Sequence, residues 1–303
     1  MASNHLEKKL EKIERLAQGT VVGRMLNGPM RYMTAIGFWR LVYPVTKKGK
    51  FARATTFFGA EMNLVLPSAT EIFLFGAKTH DSEIRLARFL MKNLKLGDTF
   101  CDVGAHFGYF SLLASQLVGP NGQVFSFEAS RTTFEILAGN IRQYPQAKPI
   151  HRAASDVDKT LVFNEFPALF SEYNSLVLPT AKNAAWLKHN PPQRTEVAGI
   201  RLDGFFSNEN IAPQVIKVDV EGAEPEVLAG MEQFLRQASP LLVMEYLVSS
   251  SQNEAHRRAV NFAQRIGYQV FRIEKNGDIS ACSDVEKAMA AAGLDSDNIV
   301  LKK

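Results

Sequence analysis

The hydrophobic pattern of the chain alternates, from about residue 80 onward, between short apolar runs and longer amphipathic stretches. The short runs have the length of buried strands and lie at 99–103, 124–127, 150–154, 215–218 and 241–244, with two closing runs at 268–273 and 298–301. Stretches with apolar side chains at helical spacing lie at 83–94, 107–117, 132–143, 225–234 and 254–266. This alternation predicts an α/β fold with a doubly wound, mainly parallel sheet.

Two regions depart from this alternation. Short runs at 55–58, 62–65 and 71–74 predict a small antiparallel lead-in ahead of the main sheet. Residues 158–199 predict a long irregular insert, which carries the aromatic residues Phe163, Phe166, Phe170, Tyr173 and Trp186. The insert forms either a lid over a ligand or a hydrophobic plug that completes the core, and both interpretations stay open.

The first 54 residues differ from the rest in charge. They hold 11 of the 35 Lys or Arg residues but 3 of the 31 Asp or Glu residues. Apolar residues at helical spacing within 6–17, and an aromatic-rich run at 31–43, predict two helices there. We therefore predict a basic helical extension over residues 1–54 and a main domain over residues 55–303. The extension is expected to cover the main domain or a second copy in a homodimer, or to contact a membrane surface peripherally.

The composition is that of an ordinary globular protein, with 46% hydrophobic and 22% charged residues. Two cysteines, Cys101 and Cys282, are too few for a disulfide framework. The mildly acidic main domain gives no indication of nucleic-acid binding. The charged first twenty residues do not resemble a signal peptide, and the apolar run at 32–43 is too short to span a bilayer. We therefore expect a cytoplasmic location.

The stretch from Thr99 to Ser111, TFCDVGAHFGYFS, joins the first predicted strand of the sheet to a helix. Ligands of doubly wound sheets bind outside the carboxyl ends of the strands, where Asp102, Gly104 and Gly108 lie. The spacing is not the G-x-G-x-x-G fingerprint of dinucleotide sites, and an anionic pyrophosphate gains nothing from the carboxylate. A cationic ligand with an amino group, such as S-adenosylmethionine, fits better, although an NAD-dependent oxidoreductase stays open as an alternative.

Four successive strand ends carry an acid: Asp102, Glu128, Asp219 and Glu245. The carboxyl ends of these strands border one crevice, so the four side chains are expected to line it together. Glu128 follows Gly104 at about the distance expected for an acid that accepts hydrogen bonds from ribose hydroxyls. This spacing serves NAD and S-adenosylmethionine equally, and it therefore indicates a nucleoside without fixing the cofactor.

Four motifs occur in order along the chain: DVGAHFGYFS, FSFEAS, IKVDVEGAEPEVLAG and LLVMEY. Together they resemble the FkbM-type family of S-adenosylmethionine-dependent methyltransferases, over roughly residues 55–303. The resemblance implies a Rossmann-like class I methyltransferase fold, with a seven-stranded sheet whose last strand is reversed. It also implies O-methylation of a small-molecule or glycan acceptor, commonly on sugars of glycans, glycolipids or natural products.

The resemblance assigns site residues by position. Contacts to S-adenosylmethionine are expected from Asp102, Gly104, Ala105, His106, Phe107, Gly108, Glu128, Ala129, Ser155, Asp156 and Asp219. The catalytic residues are expected to be Asp219, Glu221 and Glu245, with Asp219 as general base or acceptor-orienting group. The family usually has Asn where this chain has His106.

Alternatives to these roles stay open. His106 and His80 are alternative bases. No metal is expected, although Asp219 and Glu245 could instead hold Mg²⁺. A non-catalytic, membrane-docked adaptor is a further alternative to an enzyme.

Overall fold

The computed structural model describes residues 2–177, 184–248 and 253–303. Its strands, in chain order, are β1 (Lys50–Thr55), β2 (Glu61–Leu66), β3 (Thr99–Val103), β4 (Gln123–Glu128), β5 (Ala147–His151), β6 (Ala153–Ala154), β7 (Thr160–Glu165), β8 (Gln193–Ile200), β9 (Val215–Val218), β10 (Leu241–Leu247), β11 (Gln269–Ile273), β12 (Ile279–Ala281) and β13 (Ser296–Lys302). Eight of these strands form the main sheet, and the others form two small sheets.

The helices surround the sheets. In chain order they are α1 (Ala2–Ala17), α2 (Val21–Leu26), α3 (Pro29–Gly37), α4 (Tyr43–Thr46), α5 (Thr70–Phe75), α6 (Asp81–Asn93), α7 (Tyr109–Val118), α8 (Arg131–Ile141), α9 (Ala184–His189), α10 (Leu202–Glu209), α11 (Glu224–Gly230), α12 (Glu232–Ala238), α13 (Asn253–Arg265) and α14 (Val285–Ala292). A π-helical turn, Phe38–Val42, joins α3 to α4, and a 3₁₀ segment, Ala168–Tyr173, follows β7. No helix in the described part of the chain has both the length and the apolar character needed to cross a membrane.

The main sheet confirms the predicted topology. Its strand order is β5-β4-β3-β9-β10-β13-β11-β12. The strands from β5 to β10 are parallel to their neighbours, whereas β13 runs antiparallel between β10 and β11. β12 is an eighth strand added to the predicted seven, and it forms a hairpin with β11. Because the chain moves from β3 to β4 on one side and later to β9 on the other, the crevice lies at the carboxyl end of β3.

Two apolar clusters fill the two faces of this sheet. Along β3, the side chain of Phe100 belongs to one cluster and that of Cys101 to the other, as the alternation of a strand requires. Leu90 of α6 and Leu113 of α7 pack on the first face, and Val227 of α11 packs on the second. A strand covered on both faces must be apolar throughout, which explains the continuous apolar runs in the sequence.

Five predicted elements are wrong in detail. The strand predicted at 150–154 lies earlier, as β5, and Ala153 and Ala154 form β6 in a small sheet. Residues 71–74 belong to helix α5, which ends at the left-handed Gly76, and not to a strand. The lead-in strand predicted at 55–58 lies earlier, as β1, and pairs antiparallel with β2. The helix predicted at 225–234 is two helices, separated at Met231 with its non-helical φ of −127°. The described part of the insert at 158–199 is not irregular throughout, because β7 and β8 pair antiparallel within it.

Helix α1 is a cover on the main domain rather than a free element. Leu10 is fully buried, and the buried Arg88 of α6 reaches Glu7 at 2.7 Å and Glu14 at 2.8 Å. Arg88 also donates to the backbone oxygen of Lys275, in the turn between β11 and β12, at 3.1 Å. One guanidinium thus joins the first helix to the last hairpin. The proposed boundary between residues 54 and 55 falls within β1, and the two-part division stays a prediction.

Replacement of Arg88 by Met should loosen α1. Burial raises the pKa of Glu14, but Arg88 outweighs this and holds the pKa below its usual value. Loss of Arg88 therefore removes the ion-pair partner of Glu7 and leaves Glu14 with the more distant Lys275, at 3.7 Å, and it should lower the free energy of unfolding by about 3 kcal/mol at pH 7. The deficit should shrink below pH 4.5, where Glu14 becomes protonated in the unfolded chain. Chemical denaturation at several pH values measures both effects.

The matched control is Arg131→Met, because Arg131 forms an exposed pair with Glu135 on α8. This variant should change the free energy of unfolding by less than about 0.5 kcal/mol. Equal losses in the two variants would contradict the anchoring role of Arg88.

Candidate active site

A cavity of about 500 Å³ lies at the carboxyl ends of β3, β4, β9 and β10. Its volume is within the range of small-molecule and cofactor sites. The carboxyl groups that line it are Glu71, Glu83, Asp102, Glu128, Glu172, Asp219, Glu221 and Glu245, whereas the lining Lys and Arg side chains are Lys78, Arg152 and Lys217. Carboxyl groups thus outnumber cationic groups in the wall, which favours a positively charged ligand over a diphosphate.

The loop after β3 is fixed by close backbone contacts. Gly104 has a φ of +80°, and a Cβ at this position would lie 1.8 Å from the backbone oxygen of Asp219. The N–H groups of Gly104 and Ala105 both donate to the backbone oxygen of Phe127, at 3.0 and 2.9 Å. The ends of β3, β4 and β9 are therefore drawn together, and only glycine fits at this point.

His106 follows in the left-handed region, with a φ of +50°. Asn and His are among the residues that tolerate this conformation best, which explains how His106 stands at a position where the family usually has Asn. Its Nε2 shares a hydrogen bond with the Ser171 hydroxyl at 3.0 Å. Burial, together with the charge of Lys78, lowers the pKa of His106 to about 3, so its ring is neutral and weakly basic at neutral pH.

Glu128 ends β4 and is held by two backbone donors. Its Oε2 accepts from His106 N–H at 2.8 Å, and its Oε1 accepts from Ser130 N–H at 2.9 Å. Burial raises the pKa of Glu128 to about 7, against the lowering effect of these two hydrogen bonds. Each oxygen keeps a second lone pair, so the fixed carboxylate can accept from a pair of ligand hydroxyls.

A buried lysine links the ends of β3 and β9. Lys217 is 4% exposed, and its Nζ lies 2.8 Å from Asp219 Oδ2 and 3.7 Å from Asp102 Oδ1. Burial lowers the pKa of Lys217, but Asp219 and Asp102 outweigh burial and raise it above its usual value. Asp102 Oδ2 also accepts from the Ser111 hydroxyl at 2.6 Å, whereas its Oδ1 has no hydrogen-bond partner among the described residues.

Three carboxyl groups meet at the ends of β9 and β10. One oxygen each of Asp219, Glu221 and Glu245 lies within 4.8 Å of the others. Burial raises the pKa of Asp219, but Lys217 and Lys78 outweigh it and hold that pKa below its usual value. Burial and the charge of Asp219 raise the pKa of Glu245 to about 8. At neutral pH Asp219 is therefore ionised, and Glu245 is mostly protonated.

The same trio offers the oxygen ligands that Mg²⁺ prefers. Lys217 already donates a hydrogen bond to one oxygen of Asp219, so a cation there would lie close to an ammonium group. The expectation of a metal-free site and the Mg²⁺ alternative both stay predictions.

The buried carboxyl group of Glu224 fixes the conformation of the loop after β9. Glu224 accepts from Gly222 N–H at 3.0 Å and from Val220 N–H at 3.2 Å. His256 of α13 lies 3.3 Å from Glu224 through Nε2, while its Nδ1 accepts from Leu247 N–H at 2.8 Å. Glu224 thus positions the loop that carries Asp219 and Glu221.

The insert after β6 closes one side of the cavity and also completes the core. Phe163 and Phe166 are buried, whereas Tyr173 is 49% exposed at the cavity wall. The buried hydroxyl of Ser175 donates to the backbone oxygen of Glu221 at 2.6 Å, which ties the insert to the loop after β9. Both interpretations of the insert are therefore supported, and the side chain of Trp186 lies outside the described part of the chain.

Most of the expected site residues lie together. The wall includes Asp102, Gly104, Ala105, His106, Phe107, Glu128, Ala129, Asp219, Glu221 and Glu245, as well as the alternative base His80. Gly108 precedes α7 with a φ of +87° and packs against Leu137, outside the lining. Ser155 and Asp156 share a hydrogen bond at 3.1 Å and are also outside it. The ligand contacts expected from Gly108, Ser155 and Asp156 stay predictions.

Sequence reasoning missed two lysines of the wall. Lys217 could have been identified from the sequence, because a lysine inside an otherwise apolar strand must be paired when the strand is buried. Lys78 lies between α5 and α6, where no hydrophobic pattern marks it. Its Nζ is 3.2 Å from Glu83 and 5.7 Å from the centre of the Phe110 ring.

A family profile described as a methyltransferase FkbM domain matches residues 102–270. The chain belongs to this family. The matched residues run from Asp102 to β11 and include the ends of β4, β9 and β10 that surround the cavity. The resemblance of the four motifs is confirmed, and the protein is a methyltransferase of the FkbM family. The alternative of an NAD-dependent oxidoreductase finds no support in this assignment.

Solved structures with low similarity also match. The FkbM methyltransferase from Methylobacillus flagellatus is 12% identical over 78% of this chain and 56% of that chain, with a TM-score of 0.40. Fibrillarin from Aeropyrum pernix, in complex with S-adenosylmethionine, is 14% identical over 72% of this chain and 74% of that chain, with a TM-score of 0.41.

An O-methyltransferase from Bacillus cereus, in complex with S-adenosylhomocysteine, is 12% identical over 72% of this chain and 78% of that chain, with a TM-score of 0.39. At these values the likenesses carry no argument about the activity. No curated protein matches the chain.

Replacement of Lys217 by Met should destabilise the protein through its acidic neighbours. Without the ammonium group, the buried Asp102 and the partly buried Asp219 lose the partner they share, which should lower the free energy of unfolding by about 3 kcal/mol at pH 7. The ionised Asp219 contributes stability above its unfolded pKa, so the deficit should shrink as the pH falls below 3.8. Denaturant titrations across pH test this.

Two further variants sharpen the measurement. Adding Asp219→Asn to Lys217→Met should recover part of the lost stability, because it removes the unpaired charge. The exposed Lys92, which pairs with Asp278, provides the control Lys92→Met, with an expected change below about 1 kcal/mol. A double variant less stable than Lys217→Met would refute the charge-pairing explanation.

Proposed function

We propose that this chain is an S-adenosylmethionine-dependent O-methyltransferase that acts on a hydroxyl of a sugar, glycan or natural product. The observation that carries the proposal is the wall of carboxyl groups at the carboxyl ends of β3, β4, β9 and β10, within the FkbM domain. A positively charged sulfonium donor with an amino group gains from this wall, whereas the phosphates of NAD would be repelled by it.

The residues present fit the cofactor in three respects. Gly104 brings the backbone of two loops to the cavity floor with no Cβ in the way. Glu128 offers a fixed carboxylate that suits the two hydroxyls of a ribose. Asp102 Oδ1 is a buried acceptor with no hydrogen-bond partner among the described residues, so it suits a donor from an amino group. When bound, S-adenosylmethionine supplies an electrophilic methyl group on its sulfur.

Asp219 and Glu245 are suited to different parts of the transfer. Asp219 is ionised and oriented by Lys217, so it can accept a hydrogen bond from the acceptor hydroxyl and fix the direction of its oxygen. Glu245, with a pKa of about 8, has the basicity to take the hydroxyl proton near the operating pH. Glu221 supports this pair from 4.8 Å or less. His106 is too weak a base for this role.

Calorimetry tests the ligand class directly. We expect S-adenosylhomocysteine to bind the full chain and NADH to give no heat of binding. Glu128→Ala should weaken S-adenosylhomocysteine by at least about tenfold, because it removes the acceptor of the ribose hydroxyls. Glu209→Gln, on the exposed end of α10, is the control and should bind as the unmodified chain does. Binding of NADH without S-adenosylhomocysteine would overturn the proposal.

Turnover tests the two acids. With methyl-labelled S-adenosylmethionine and a set of monosaccharides, glycolipids and phenols as acceptors, the rate should rise with pH as Glu245 deprotonates and level off above about 8. Glu245→Gln should abolish this rise, and Asp219→Asn should lower turnover by about 10²–10⁴ with little change in S-adenosylhomocysteine affinity. An unchanged rate in Asp219→Asn would remove its role. Turnover in the unmodified chain would exclude the non-catalytic adaptor.

A further inference from the structure

The segment that follows α1 exposes large apolar side chains that a globular protein normally buries. Leu26, Met30 and Val45 are 75, 77 and 83% exposed. The N-terminal apolar surface, as we define it, consists of Val21, Val22, Met25, Leu26, Met30, Met33, Trp39, Leu41, Val42, Val45 and Phe51. Elsewhere in the described chain the large exposed apolar residues are scattered, at Leu96, Val162, Tyr173 and Val177. Such a concentration marks an interaction site.

The charge around this surface has one sign. Residues 15–60 contain no Asp or Glu, and their basic residues are Arg15, Arg24, Arg31, Arg40, Lys47, Lys48, Lys50 and Arg53. Arg31, Arg40, Lys47, Lys48 and Lys50 are exposed beside the apolar side chains. A matching partner must therefore present apolar groups and negative charge on one face. A second copy of the same surface does not, because it would bring two basic faces together.

The segment that carries this surface packs on the rest of the protein through its inner side. Ala35 and Tyr43 are buried on the inner side of the segment. The Tyr43 hydroxyl accepts from the backbone N–H of Leu169 at 3.2 Å. Leu169 lies in the 3₁₀ segment whose Ser171 and Tyr173 line the cavity. The segment that carries the apolar surface is thus joined through Tyr43 to one wall of the cavity.

We propose that the N-terminal apolar surface docks on an anionic lipid bilayer. Amphipathic helices with apolar residues on one face and Lys or Arg around it lie in the headgroup region of such bilayers. The apolar side chains enter between the headgroups, and the basic side chains meet the lipid phosphates. Docking of this kind needs neither a methyl donor nor an acceptor, so it stands independently of the proposed reaction.

Sedimentation of the full chain with vesicles tests the docking. We expect the protein to sediment with vesicles of phosphatidylcholine and phosphatidylglycerol at least tenfold more tightly than with phosphatidylcholine alone. High salt should weaken this binding, because it screens the charges. Absence of binding to the anionic vesicles, or equal binding to both kinds, would overturn the proposal.

Substitutions separate the contribution of the apolar side chains to vesicle binding from that of the basic side chains. Met30→Ser with Leu41→Ser should weaken binding to anionic vesicles at least tenfold, and both residues are too exposed to support the fold. Arg31→Glu with Lys48→Glu should abolish the preference for anionic lipid. Leu96→Ser is the matched control, because Leu96 is 80% exposed but lies outside the surface, and it should bind as the unmodified chain does.

Two further measurements test whether the variants are folded and whether the surface binds a second copy of the chain instead of lipid. All variants should keep the free energy of unfolding of the unmodified chain in chemical denaturation, which shows that they are folded whether or not the proposed cofactor binds. Light scattering should show that the unmodified chain forms no dimer through this surface. The contrary result is a dimer that dissociates when Met30→Ser and Leu41→Ser are introduced together. Such a dimer would assign the surface to a second copy and overturn lipid docking.

Discussion

The active site depends on one buried ammonium group. Lys217 lies on a central strand with apolar neighbours, and its charge is stable there because Asp102 and Asp219 flank it. The same pairing keeps Asp219 ionised and fixes the loop that carries it. Gly104, whose backbone touches that of Asp219, completes the arrangement. The ends of the two central strands are therefore joined by charge and by close packing at the same point.

This arrangement gives neighbouring titratable groups of the cavity different protonation states. Burial raises the pKa of Glu245, and the negative charge of the neighbouring Asp219 raises it further. Burial lowers the pKa of His106, and the positive charges of Lys78 and Lys217 lower it further, so the His106 ring stays neutral. The pKa of each group is thus set by its burial and the charges around it rather than by its chemical type alone. Pairs of acids whose pKa values are pushed apart are typical of sites that transfer protons.

The topology of the sheet and most residues of the cavity wall could be predicted from the sequence. Buried parallel strands leave continuous apolar runs, and acids at their ends must meet at one edge, so Asp102, Glu128, Asp219 and Glu245 were placed correctly. The strands β7 and β8 were missed, because their partners lie about 30 residues apart and neither shows clean alternation. Lys78 and His256 could not be predicted, since each acts through contacts with residues distant in the sequence. The sequence indicated a basic N-terminal extension with helices within 6–17 and at 31–43, but it could not show that α1 packs on the main domain while the segment after it exposes apolar side chains.

The two outer strands of the main sheet have a consequence for self-association. An outer strand exposes unpaired N–H and C=O groups, which are a template for strands of other molecules. At one end, β5 contains Pro149, which has no N–H to offer. At the other end, β12 is three residues long and offers few free groups. The two outer strands therefore offer few free backbone groups to strands of other molecules.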